Sequence, residues 1–272
     1  MDASQSTARR EPQRGAVRRR REAVLERDVA PGVHRLQHAS TNAYLIEEGG
    51  AVTLVDSLFP RSGPHLHAAL AAIGRSIGDV RGLVLTHAHF DHLGMAADLQ
   101  RSGMRLWLHE GDRPIAAHPY SYRSANSRLW YPLRYPGFVP ILVAMASVGA
   151  LAVEGVRDTE ALEPGALLDL PGRPRALATP GHTDGHVALH LADRDAVISG
   201  DALVTLDPYT TRTGPRLVAG AATVRPAQAL ESLSALDATG AQIVLPGHGE
   251  VWRGRGRAAG EAARAARAGR GR

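Results

Sequence analysis

The most reactive stretch of the chain is Thr86-His87-Ala88-His89-Phe90-Asp91-His92. Three imidazoles and a carboxylate fall within six residues, directly after the apolar run Leu83 to Leu85. A strand end presents His87 and His89 on one side, and the turn into the following helix aims Asp91 and His92 elsewhere. Imidazole and carboxylate suit zinc, and other divalent ions less selectively. Three further segments follow the same logic. His182 stands in Thr179-Pro180-Gly181-His182, Asp201 in Ser199-Gly200-Asp201, and His248 in Pro246-Gly247-His248-Gly249. Each follows a short apolar run, and glycine lets the backbone turn sharply beside a metal. Strand ends converging on one rim bring these distant residues together.

The elements that must position them alternate. Val33 to Glu47 and Ala51 to Asp56 read as strands around Glu48-Gly49-Gly50, Pro64 to Ile73 as a helix, and Leu83 to Thr86 as a strand. A helix over Leu93 to Gln100 and a strand over Arg105 to Leu108 complete the first round. Strands return at Arg175 to Thr179, Val187 to Leu191, Ala196 to Ser199 and Gln242 to Leu245, with a helix over Pro226 to Leu236 and an Ala/Arg-rich surface helix over Arg255 to Ala268. Two rounds of alternating strands and helices predict an α/β protein with helix-covered sheets. Residues 111–163 break the pattern. They carry Tyr120, Tyr122, Trp130, Tyr131, Tyr135 and Phe138, and read as a mainly helical insertion forming a lid, a pocket wall or a homodimer interface.

Composition narrows the chemistry. The 272 residues contain no cysteine, which excludes disulfides, a thiol nucleophile and cysteine-held metals. All 32 basic residues are Arg, and seven lie in 1–22 and seven in 253–272. The body, 23–252, holds 18 Arg against 23 acids, so the net charge of +5 belongs to the tails. An acidic body argues against a nucleic-acid face; only weak binding by the Arg tails, read as disordered solvated ends, is expected. Glu22, Glu26, Arg27 and Asp28 interrupt any signal-peptide core after Arg18 to Arg21, and Pro136 to Val153 is too short to span a bilayer. The expectation is a cytoplasmic protein with a small-molecule substrate and no membrane span.

Taken together, the HxHxDH run at 87–92, the segments around His182, Asp201 and His248, and Asp56 in Leu54-Val55-Asp56-Ser57 resemble the metallo-β-lactamase superfamily, in order and spacing, over about 33–252. The resemblance implies an αββα four-layer sandwich for 23–252 with the site at one edge of two sheets. It implies that His87, His89 and His182 bind a first metal, that Asp91, His92 and His248 bind a second, and that Asp201 bridges them. Zinc is the expected metal, with iron or manganese as alternatives. Asp56 matches the residue that orients the His-rich loop through a hydrogen bond, and His186 reads as a supporting or structural residue.

Two cations ~3.5–4 Å apart would lower the pKa of a shared water toward ~7 and make it the nucleophile. Asp91 and Asp201 are therefore the candidate catalytic carboxylates. The THxHxDH, PGHT and PGHG segments most resemble the glyoxalase II-like branch, which implies a small ester, thioester or lactone. A persulfide dioxygenase using one iron, and a phosphodiesterase or nuclease, are alternatives on the same fold. Substrate contacts are expected from the insertion and from Thr205 to Val218. There Tyr209 offers an oxyanion donor, and Arg212 or Arg216 offers a partner for a substrate carboxylate.

Overall fold

The computed structural model describes residues 22–268. Nearly all of the expected 1–22 tail, and residues 269–272 of the C-terminal one, lie outside the described residues. Seven strands form the first sheet in chain order: β1 (Val24–Ala30), β2 (Val33–His38), β3 (Thr41–Glu48), β4 (Ala51–Val55), β5 (Val80–Val84), β6 (Leu106–Leu108) and β7 (Glu160–Ala161). The first four run antiparallel, and β4 through β7 pair in parallel. Downstream come β8 (Arg175–Ala178), β9 (Val187–Leu191), β10 (Ala196–Gly200), a hairpin of β11 (Val204–Leu206) and β12 (Thr213–Arg216), then β13 (Ile243–Pro246) and β14 (Trp252–Arg253). The second sheet has the order β14-β13-β10-β9-β8, with β10 and β13 parallel.

Side-chain alternation shows the layers. On β3, Tyr44 and Ile46 face the second sheet, where they join Leu189, Leu191 and Ile198 in one apolar core. The neighbouring Ala43 and Leu45 face outward, onto a helical layer. That layer includes α1 (Gly63–Ala72), α2 (Phe90–Leu93) and α3 (Ala96–Arg101), which bury Leu66, Leu70, Leu93 and Leu99 against the sheet. Two further short helices, α4 (Arg113–Ala117) and α5 (Tyr131–Arg134), precede α6 (Phe138–Ser147), whose Ile141 and Met145 enter the same core. On β10, Ala196 and Ile198 face inward and Val197 outward, toward Leu233 of α7 (Pro226–Asp237) and Ala259 and Ala263 of α8 (Gly256–Ala268). Strands buried on both faces explain their continuous apolar runs. The result is the αββα sandwich.

Three local readings change. Val33 to Glu47 is a hairpin, not one strand: Ala39 and Ser40 adopt left-handed conformations (φ 47° and 73°) and turn the chain between β2 and β3. Neither residue is a usual turn residue for this geometry, so alternation ran through them. The helix expected over Leu93 to Gln100 divides into α2 and α3, because Gly94 N donates to Leu58 O (2.9 Å) and Met95 N to Ser57 O. A side chain at 94 would lie 2.2 Å from Leu58 O, so only glycine permits this approach. The helix expected at the C-terminal surface buries Ala259 and Ala263, four residues apart on one face, while Arg264 pairs with Asp237 of α7 at 2.7 Å. Sequence alternation did not disclose β1. No helix among the described residues is long and apolar enough to cross a membrane.

Candidate metal centre

Loops leaving the C-terminal ends of β5, β10 and β13 meet at one rim of the two sheets, joined by the loop between β8 and β9. They carry His87, His89, Asp91 and His92, then Asp201, His248 and His182. All seven residues are buried. Three sets of side chains bring their ligand atoms within 4.8 Å of one another: His87, His89 and His182; His87, His92 and Asp201; Asp91, His92 and His248. Asp201 stands between the groups, with Oδ2 3.3 Å from Nε2 of both His182 and His248. Glycine at 247 makes this crowding feasible: a Cβ there would fall 2.2 Å from Asp201 Oδ1. Gly200 adopts φ +49°, and a Cβ on it would approach His186 Nε2 to 2.8 Å.

The surrounding hydrogen bonds determine which imidazole nitrogens are free. Asp56 Oδ1 accepts from Thr86 N (2.8 Å), and Oδ2 lies 2.9 Å from His92 Nδ1. A carboxylate only accepts, so His92 donates from Nδ1 and turns the lone pair of Nε2 into the site. The Thr86 hydroxyl also donates to Asp56 (2.9 Å to Oδ2), which leaves its oxygen to accept from His87 Nδ1 at 3.0 Å. His248 Nδ1 donates to Ser40 O at 2.8 Å. Thr223 spends its proton on Val218 O and accepts from His182 Nδ1 (3.3 Å). Four rings thus turn Nε2 toward a common volume; there, against their burial, Asp201 and Asp91 raise the pKa of His248, and Asp56 with Asp91 that of His92.

This arrangement fits bound cations. Nε2 of His87, His89 and His92 and Oδ1 of Asp201 are buried without a hydrogen-bond partner. Each such orphan costs about 1–3 kcal/mol unless something satisfies it. Nδ1 of His89 lies 2.9 Å from Nε2 of His182. Five imidazoles and two carboxylates form a nitrogen and oxygen donor set suited to divalent transition ions. Burial lowers the pKa of His87 and His89, and takes His182 down to about 3, so these rings are neutral and ligand-ready. Burial works against charge on Asp91 too, but His92 and His248 pull it to about 2. Asp201 is held well below the usual range by the same two histidines, against its own burial.

His186 supports the carboxylate from behind. Its Nε2 accepts from Asp201 N at 3.0 Å, and its Nδ1 pairs with Thr179 Oγ1 at 2.8 Å. Asp184, two residues earlier, points away and pairs with Arg225 in a half-exposed contact. A residue not singled out from sequence, Asp112, ties the two loops together. It is fully buried and accepts from Ala88 N (2.9 Å), Thr183 Oγ1 (2.8 Å) and Gly185 N (2.7 Å). Its place in the otherwise unremarkable His109-Glu110-Gly111-Asp112 left no signal beyond a single acid. Asn42 was also missed; its side chain donates to Pro246 O and Gly249 O (2.8 and 2.9 Å) and holds the loop that carries His248.

A cavity of about 360 Å³ opens beside His89, Asp91, Asp201 and His248. Tyr209 lines it, packed at 5.0 Å between ring centroids against Phe138. Its hydroxyl pairs with that of Tyr122, whose ring lies 4.1 Å from His89. Burial raises both phenols, Tyr122 to about 12, so both stay protonated; one proton is spent within the pair and the other is free to donate. The expected Arg212 and Arg216 do not reach the cavity. Arg212 is exposed, and the β11–β12 hairpin turns Arg216 back onto the carbonyls of Thr213 and Gly214. The arginine that does line it is Arg128, from the 111–163 segment.

Comparison with known proteins agrees with this geometry. A family model described as the metallo-beta-lactamase superfamily matches residues 38–248. The chain is 27% identical over 186 residues to the probable metallo-hydrolase YflN of Bacillus subtilis, covering 66% of this chain and 67% of that protein. It is 32% identical over 170 residues to a hydroxyacylglutathione hydrolase of Acidiphilium cryptum, covering 62% of this chain but only about half (51%) of that relative's length. The crystal structure of metallo-beta-lactamase family protein TTHA1429 from Thermus thermophilus superposes with a TM-score of 0.64 at 27% identity, over 88% of this chain and 80% of that one. The family match spans every strand-end loop that delivers a candidate ligand, and with the shared sandwich it shows that this chain belongs to the metallo-β-lactamase superfamily.

Proposed function

We propose that the protein is a dinuclear metal-dependent hydrolase of small esters, thioesters or lactones, on the glyoxalase II-like side of its superfamily. The observation that carries this reading is the convergence of seven buried ligand residues, four of which (His87, His89, His92 and Asp201) point an atom with no protein partner into the site. His87, His89 and His182 would hold one ion, Asp91, His92 and His248 the other, with Asp201 between them. Zinc fits this donor set, and so do iron and manganese. Divalent ions supply a hydroxide-like water near neutral pH and polarise the substrate carbonyl.

The chain's own groups do the rest. Asp91 lines the cavity and accepts from Thr41 Oγ1, so its carboxylate is aimed and fixed to orient the attacking water and take its proton. Asp201 is locked through its backbone by His186. The hydrogen-bonded pair of Tyr122 and Tyr209 is neutral and has one proton free to donate toward charge developing on the substrate oxygen. Water's oxygen bonds to the carbonyl carbon, the C–O or C–S bond breaks, the leaving alkoxide or thiolate takes up a proton, and the acid departs as a carboxylate. The likeness to a hydroxyacylglutathione hydrolase supports an acyl-bearing substrate. Metal quantification followed by a screen of thioesters, lactones, phosphodiesters and a β-lactam tests the proposal. About two metal ions per chain with ester or thioester turnover is the expected result. One iron per chain, with oxidation of a persulfide and no ester cleavage, would overturn it.

A further inference from the structure

The cavity beside the ligand cluster is built for something other than charge. Away from the metal rim its wall is Phe90, Phe138, Leu142, Met145, Leu151 and Val218. The cation in that wall is engaged elsewhere. The guanidinium carbon of Arg128 stands over the Tyr122 ring, 4.1 Å from its centroid, and the side chain donates to Ala221 O (3.0 Å) and Tyr122 O (3.3 Å). Its guanidinium thereby rigidifies the tyrosine.

The apolar surface continues outward. Seven of the nine exposed large hydrophobic residues among those described lie between 120 and 151. Val139, Leu142 and Val143 form one exposed face of α6, and Leu142 also lines the cavity. Exposed apolar side chains concentrated at a cavity mouth mark a binding surface.

From this we infer that the substrate carries an uncharged, flexible acyl arm of medium length, which lies in the aromatic cavity and runs out along α6, and that acyl groups on a charged peptide thiol such as glutathione are poor substrates. The inference rests on the proposed hydrolysis only for the bond that is cut; the chain-binding site stands on the cavity alone.

The test separates the two. Uncharged N-methylamides of straight-chain acids with four to ten carbons are not cleaved as esters, and their binding to the metal-loaded protein is read by calorimetry. Affinity is expected to rise up to about fourfold for each added methylene. Leu142→Glu places a charge at the cavity mouth on a residue 41% exposed, so the fold tolerates it; in that variant the rise with chain length should flatten. Turnover of the same acyl series on an uncharged thiol should climb in parallel and exceed that of the glutathione thioesters. A flat binding series, or one unchanged by Leu142→Glu, overturns the inference. Preference for the glutathione thioesters overturns it as well. Binding that rises with chain length while no ester or thioester is cleaved supports the acyl site and refutes the proposed reaction instead.

Discussion

The His-rich rim and the aromatic wall face one another across the same cavity, yet they are held by opposite physics. On the rim most ligands are aimed by a hydrogen bond from behind, among them His92 by Asp56, His248 by the Ser40 carbonyl, and Asp201 by His186. The wall is held by ring packing and by one cation–π contact, and much of its outer face is exposed apolar surface. Hydrogen-bonded ligands specify geometry to a fraction of an ångström. An apolar wall specifies size and polarity and tolerates variation in the ligand. On the proposed function, the rim would set the reaction and the wall the choice of substrate.

Substitutions can sharpen or break that division. Replacing both His87 and His89 with Ala should abolish metal binding and turnover of every substrate alike, with the circular dichroism spectrum retained; metal retained at the parent stoichiometry would break the assignment. Asp56→Asn keeps the shape but loses the carboxylate behind His92 and Thr86. It is expected to cost about 10- to 100-fold in metal affinity, measured by competition with a chromophoric chelator. On the wall, Tyr122→Phe removes one donor and should lower kcat/KM by about 3- to 10-fold without altering metal content. A metal loss there would show that the two regions are not separable. The smallest effect is expected for Arg212→Ala combined with Arg216→Ala. Neither lines the cavity, so kcat/KM should move by less than about twofold; a large rise in KM for an anionic substrate would place a charge-reading site on the β11–β12 hairpin.

The two regions also differ in how far they could be read in advance. HxHxDH and the Pro-Gly-His segments are short, local and chemically unusual, so composition within a few residues exposes them. Asp112 and Asn42 act just as directly on the ligand loops, but each is a single polar residue whose partners lie far along the chain. The arginine that lines the cavity was hidden for the same reason. Arg212 and Arg216 follow Asp201 closely in sequence, whereas Arg128 arrives from the 111–163 segment and anchors to Ala221 O, 93 residues away.

By itself the amino-acid order determined the donor types, the absence of thiol chemistry, the alternation that makes two helix-covered sheets, and the resemblance that grouped seven scattered residues. Those properties are written in residue identity and in spacing along a strand or loop. Tertiary structure alone decided which nitrogen of each ring faces inward, which acids and carbonyls stand behind the ligands, and what lines the pocket. Such features depend on the meeting of separate loops at the rim of two sheets, and on left-handed turns at Ala39 and Ser40 that no residue preference announced. Local pattern carries chemical capability, while the long-range packing that excludes water and orders each hydrogen bond turns that capability toward a particular substrate.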